Sequence, residues 1–145
     1  MPRASLKATA IRRGAMIIVL VVISGCGGTA AGVKGIKTTA ATVTVPHADR
    51  FAPFTTMVTH GSRVTFYNSD SDEHTVVSVP GDPLALNLVL APGQSLTITV
   101  GAGGAHRYFC SIHARYDPAT GQIAANPNAD HPDEPMEGVI IANTT

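Results

Sequence analysis

Ser95-Leu96-Thr97-Ile98-Thr99-Val100 alternates polar and apolar residues one for one, the period-2 pattern of a strand with one wet and one buried face. The turn Ala91-Pro92-Gly93-Gln94 precedes it and Gly101-Ala102-Gly103-Gly104 follows it. The same grammar repeats outward in both directions. Residues 38–45 alternate, with Val43 and Val45 on one face, and 63–68 place Val64 and Phe66 inward. Residues 55–59, 74–79 and 138–143 read as further strands, and 84–90 as a strand or one short helical turn. No stretch of helical periodicity is long enough to compete. About seven or eight short strands separated by turns imply an all-β sandwich.

The chain of 145 residues suits one domain. Its net charge of zero hides an uneven distribution. Residues 1–25 carry Arg3, Lys7, Arg12 and Arg13 with no acid, whereas the remainder is mildly acidic. With no basic cluster on the body, nucleic acid is not an expected partner. The apolar run 15–23 is too short for a bilayer-spanning helix, which needs roughly 20 residues, and fits a signal-peptide core. It ends in Ile23-Ser24-Gly25-Cys26, which resembles the lipobox of bacterial lipoproteins. Residues 1–25 are therefore expected to be a lipoprotein-type signal, Cys26 the lipidated residue, and 26–37 a flexible tether rich in small residues. The expected location is outside the cytoplasm, lipid-anchored on the outer face of the cell membrane or in the periplasm.

Only two cysteines are present. With Cys26 consumed by lipid, Cys110 stands alone in a compartment that oxidises free thiols. It ends the strand-like stretch in Tyr108-Phe109-Cys110-Ser111-Ile112-His113, so an imidazole follows the thiol three residues on. Alternation puts Cys110, Tyr108 and His106 on one face. His106 is expected to be a core or rim residue, His47 and His60 surface rings, and Met57 a core filler. No Gly-x-Ser-x-Gly motif is present and Ser111 lies inside the Cys–His loop, so no hydrolase is expected. One Cys–His loop in so short a chain also argues against a multicopper oxidase, and no enzymatic activity is expected.

Four motifs in order resemble the cupredoxins, the plastocyanin and amicyanin group of blue copper proteins. They are Asn68-Ser69-Asp70 leading to His74-Thr75-Val76, the turn at 91–95, the 108–113 loop, and Met136-Glu137-Gly138-Val139-Ile140. The resemblance covers roughly residues 40–145 and implies a Greek-key sandwich of about seven or eight strands over 38–145. It implies one copper ion in a type 1 site, with His74, Cys110 and His113 as equatorial ligands and Met136 as the axial one. Thiolate and imidazoles with a weak thioether are the donors that let copper cycle between its two oxidation states. Asn68 would brace the ligand loops through its amide. The function implied is single-electron transfer between redox protein partners outside the cytoplasm. The alternative is copper storage, delivery or resistance.

The departure from the pattern is the insertion at 114–135, 22 residues between His113 and Met136. It is rich in Asn, Asp, Pro and Ala, shows no apolar periodicity, and is expected to be a long excursion without a strand of its own. Closing such a loop in place of one of about three residues costs roughly 1.5–2 kcal/mol. His131 within it rivals Met136 as the fourth ligand. Its acids, Asp117, Asp130, Asp133 and Glu134, against Arg115 alone, would steer a basic partner.

Overall fold

The computed structural model describes residues 39–144. The expected signal at 1–25, the expected tether at 26–37 and Cys26 lie outside the described residues. Ten strands are described, in the order β1 (Ala40–Val45), β2 (Thr55–Thr59), β3 (Arg63–Asn68), β4 (His74–Ser78), β5 (Asn87–Leu90), β6 (Ser95–Thr99), β7 (Gly104–Phe109), β8 (Ala114–Asp117), β9 (Gln122–Ala125) and β10 (Glu137–Asn143). They form a three-stranded sheet, β1-β3-β6, a five-stranded sheet, β2-β10-β7-β4-β5, and a two-stranded one, β8-β9. β1 runs parallel to β3, and β2 parallel to β10, whereas the other pairs are antiparallel. Of the apolar stretch at 84–90, residues 87–90 form a strand, β5, paired with β4.

The alternating side chains do what their spacing demands. Val43, Val45, Val64, Phe66, Val76 and Ile140 are wholly buried in one cluster. Each contributes roughly 1.5–3 kcal/mol of apolar burial. Tyr108 fills the centre, with Phe51 and Phe66 edge-on to its ring at 4.9 and 5.3 Å. This ring requires a glycine opposite, because a Cβ on Gly138 would lie 2.5 Å from the Tyr108 hydroxyl. Phe51 thus plugs the core, but its loop companion Phe54 is 53% exposed. His106 is buried, with Nδ1 3.2 Å from both oxygens of Asp82 and Nε2 3.0 Å from the Ala102 carbonyl. Met57 corrects the expectation of a core filler. It alternates onto the solvent face of β2, between the buried Thr56 and Val58, and is 59% exposed.

The insertion corrects another expectation. Residues 114–125 form a hairpin, β8 with β9, in register from Ala114↔Ala125 to Asp117↔Gln122. Asp117 builds the turn. Its carboxylate accepts from the Ala119 N–H and the Thr120 hydroxyl, and its carbonyl accepts from the N–H of Gly121, which has φ 70. The hairpin forms a small second core with Phe109, on the face of β7 opposite Tyr108: Ala114, Ile123 and Tyr116 pack with Val77 and Val79. Arg107 fastens the turn, donating to the Gly121 carbonyl at 3.0 Å and to Glu137 at 3.1 Å. Three packing side chains spread over two strands of four residues are too few to register as periodicity. Because the hairpin closes its own ends, only residues 126–135 must span from it to Met136, which lowers the closure cost.

Candidate metal centre

Three loops at one end of the sandwich carry the candidate ligands. β3 ends at Asn68, whose wholly buried amide donates to the Asp72 and Leu90 carbonyls at 2.7 and 2.9 Å and accepts from the Asp70 N–H. That amide folds the 69–73 loop over and delivers His74 at the start of β4. β7 delivers Cys110 one residue past its end. The register Glu137↔Phe109 then places Met136 beside Cys110, whose N–H donates to the Met136 carbonyl at 3.0 Å. Met136 is 1% exposed and belongs to the same buried cluster as Cys110.

The donor atoms converge. Cys110 Sγ lies 3.9 Å from His74 Nδ1 and 3.4 Å from His113 Nδ1, and the two rings are 5.0 Å apart. Ligand atoms of these three residues all fall within 4.8 Å of one another, a spacing that one metal ion could bridge. Thr75 supports the sulfur with its N–H at 3.3 Å and its hydroxyl at 3.6 Å. Burial pushes the Cys110 thiol up, but the His74 ring, the Thr75 donors and the Ile112 N–H outweigh it and bring the pKa from 9.0 down to about 6. Burial pulls His74 down, and the Cys110 sulfur with the Asp70 and Asp49 carboxylates reverses this, so its pKa is raised. A buried sulfur that is readily ionised beside two imidazoles fits a soft-to-borderline metal such as copper.

His131 stands apart from this cluster. It is 55% exposed, with Nε2 4.0 Å from Asp49 Oδ2. His47 is a surface ring, bonded through Nδ1 to Asp70 at 2.8 Å. His60 is also exposed and bonds the Gly101 carbonyl.

Asn126 is a residue that the sequence did not single out. The hairpin returns it beneath the Cys–His loop, where its side-chain amide donates to the Ile112 carbonyl at 2.8 Å and its N–H donates to the His113 carbonyl at 2.9 Å. Its place depends on the β8–β9 register, which nothing near it in sequence announces. Asn126→Ala is expected to destabilise the metal-free protein by about 1 kcal/mol, the worth of a hydrogen bond of this kind. Thermal melting should read this as a drop of several degrees, with faster amide exchange at 111–114.

No family model matches the chain, and no curated protein sequence matches it. Solved structures do. A reduced amicyanin variant superposes with a TM-score of 0.52 at 20% identity, covering 72% of this chain and 82% of its own. An oxidised amicyanin variant gives 0.52 at 18% identity, covering 75% and 87%. A purple cupredoxin from Nitrosopumilus maritimus gives 0.49 at 19% identity, covering 71% and 99%. With its two sheets in this order and a His–Cys–His cluster at one end, the chain has a cupredoxin-like fold.

Proposed function

We propose that the protein is a type 1 copper carrier of single electrons, held outside the cytoplasm by a lipid on Cys26. The observation that carries this reading is the convergence of His74 Nδ1 and His113 Nδ1 on the Cys110 sulfur. Cys110, His74 and His113 would hold one copper ion with Met136 as the fourth ligand, preferred to the half-exposed His131 because it is buried beside Cys110. Copper, when bound, supplies the one-electron couple.

The chain's own residues supply the frame. Asn68 and Asn126 hold the two ligand loops by hydrogen bonds that do not depend on the ion. Thr75 donates to the sulfur and, through its hydroxyl oxygen, accepts from the Ser111 N–H at 2.7 Å, so β4 and the Cys–His loop are locked together. A site held this way changes shape little as the electron moves. Around it, Asp72, Glu73, Asp130, Asp133 and Glu134 are exposed, and they favour a redox partner with a basic docking patch.

The test is to load the full chain with Cu(II) and record its visible spectrum and voltammetry. An intense thiolate-to-copper band with reversible one-electron behaviour is the expected result. A pale or irreversible copper complex would favour storage or delivery, and indifference to copper would overturn the reading.

A further inference from the structure

Asp49 belongs to none of the ligand motifs, yet its carboxylate faces the far nitrogen of both candidate imidazole ligands. Oδ1 lies 3.5 Å from His113 Nε2 and 3.9 Å from His74 Nε2, and Oδ2 lies 4.0 Å from His131 Nε2. The carboxylate is mostly buried, with 13% side-chain exposure, and the His113 ring behind it is only 12% exposed. His74 Nε2 is buried with no aligned hydrogen-bond partner, although Asp70 Oδ2 is within ion-pair distance at 3.5 Å. The β1–β2 connection reaches this position through a left-handed backbone at Asp49, φ 45, after an isolated bridge between Thr44 and Ala52 fixes its base.

The chemistry of imidazole gives this arrangement its meaning. A ring that ligates a metal through Nδ1 carries its proton on Nε2. In both rings Nδ1 is the nitrogen near Cys110, and Nε2 faces carboxylate: Asp49 at 3.5 Å for His113, and Asp70 at 3.5 Å with Asp49 at 3.9 Å for His74. An ionised carboxylate accepts and never donates, so it supports the ligating tautomer and orientation of each ring and opposes the other. Partners of this sort raise the basicity of a ligating histidine and favour the more highly charged metal ion.

We propose that Asp49 is a shared positioning residue of the metal centre, a carboxylate that faces the Nε2–H of His113 and, together with Asp70, that of His74, with both Nδ1 atoms turned to the ion. It also closes the His113 edge against water. This rests on the metal-centre reading above, and the test separates the two.

Two substitutions suit the left-handed backbone, since Asn and Gly both tolerate it. Asp49→Asn keeps the shape and removes the charge, and Asp49→Gly removes the side chain. In the Zn(II)-loaded full chain, a diamagnetic probe, Asp49→Gly is expected to weaken Zn(II) binding roughly 10–100-fold. It should also speed exchange of the His113 Nε2–H with water at least about tenfold by nitrogen-resolved NMR. In the copper-loaded chain, Asp49→Asn is expected to shift the Cu(II)-to-Cu(I) affinity ratio about tenfold toward Cu(I), about 59 mV upward in potential. A merely structural role would lower the melting temperature without moving the potential.

If the native chain shows the thiolate–copper band while Asp49→Asn leaves the potential unchanged, the Asp49 assignment is overturned and the copper reading stands. If Zn(II) affinity and His113 exchange stay within twofold of native in Asp49→Gly, the assignment is overturned as well. If the native chain binds neither ion through Cys110, the copper reading falls and takes this assignment with it.

Discussion

Cys110→Ser is expected to abolish the thiolate-to-copper band and to weaken copper binding by more than 100-fold. Loss of a partner outside the ligand set typically costs 10–100-fold, and Cys110 is the donor on which both candidate imidazoles converge. Copper titration monitored in the visible range decides it, and an unchanged spectrum in the variant would dismiss Cys110 as a ligand. The thiol also sets the pH dependence. In the metal-free native chain its ultraviolet thiolate band should appear near pH 6, where an ordinary thiol ionises near 9.0, and the Ser variant should show no such transition. The sign follows from a depressed acid. Ionised Cys110 stabilises the fold in full above 9.0, and that contribution is lost as pH falls through about 6. A proton therefore competes with the metal for the sulfur below about pH 6 and hardly above it.

Asn68→Ala is expected to cost about 3 kcal/mol of stability and to loosen the His74 loop. The side chain is fully buried and makes three hydrogen bonds, to the Asp72 and Leu90 carbonyls and from the Asp70 N–H. Truncation leaves those backbone groups without the amide, and each buried orphan costs about 1–3 kcal/mol, offset where water enters. Asn68→Asp is expected to do worse, because its oxygens would face the two carbonyls with no proton to offer them. Denaturant unfolding of the metal-free protein measures the loss, and copper titration measures the loosened loop. Native stability in the Ala variant would mean that the 69–73 loop folds without this amide.

The same residue shows how much of the site was legible in the sequence. Asn68 stood out because it precedes a polar loop and a histidine in an order that resembles a known family, but its role as a brace could equally have been that of a turn former. The structure distinguishes these, since its partners include Leu90 on β5, 22 positions away. The nearness of Cys110 and His113 was legible because they are local to one strand end, whereas the place of Met136 beside Cys110 follows from the register of the last strand. Asn126 and Asp49 were not legible. One is placed by a hairpin that packs through Ala114, Tyr116 and Ile123, and the other by a connection that curls through an unusual φ.

What the sequence determined by itself is the all-β class, the inward face of most strands and the residues able to bind a metal, because side-chain alternation and donor chemistry are local properties. Ser95–Val100 needed no partner to declare itself a strand. What only the tertiary structure decided is which nitrogen of each histidine faces the sulfur, and that one carboxylate stands behind both rings. It also decided that the insertion packs as a hairpin against the outer face of the sheet. These depend on register and on loops that meet from distant parts of the chain. A period of two residues fixes which face a side chain takes, but not what awaits it there.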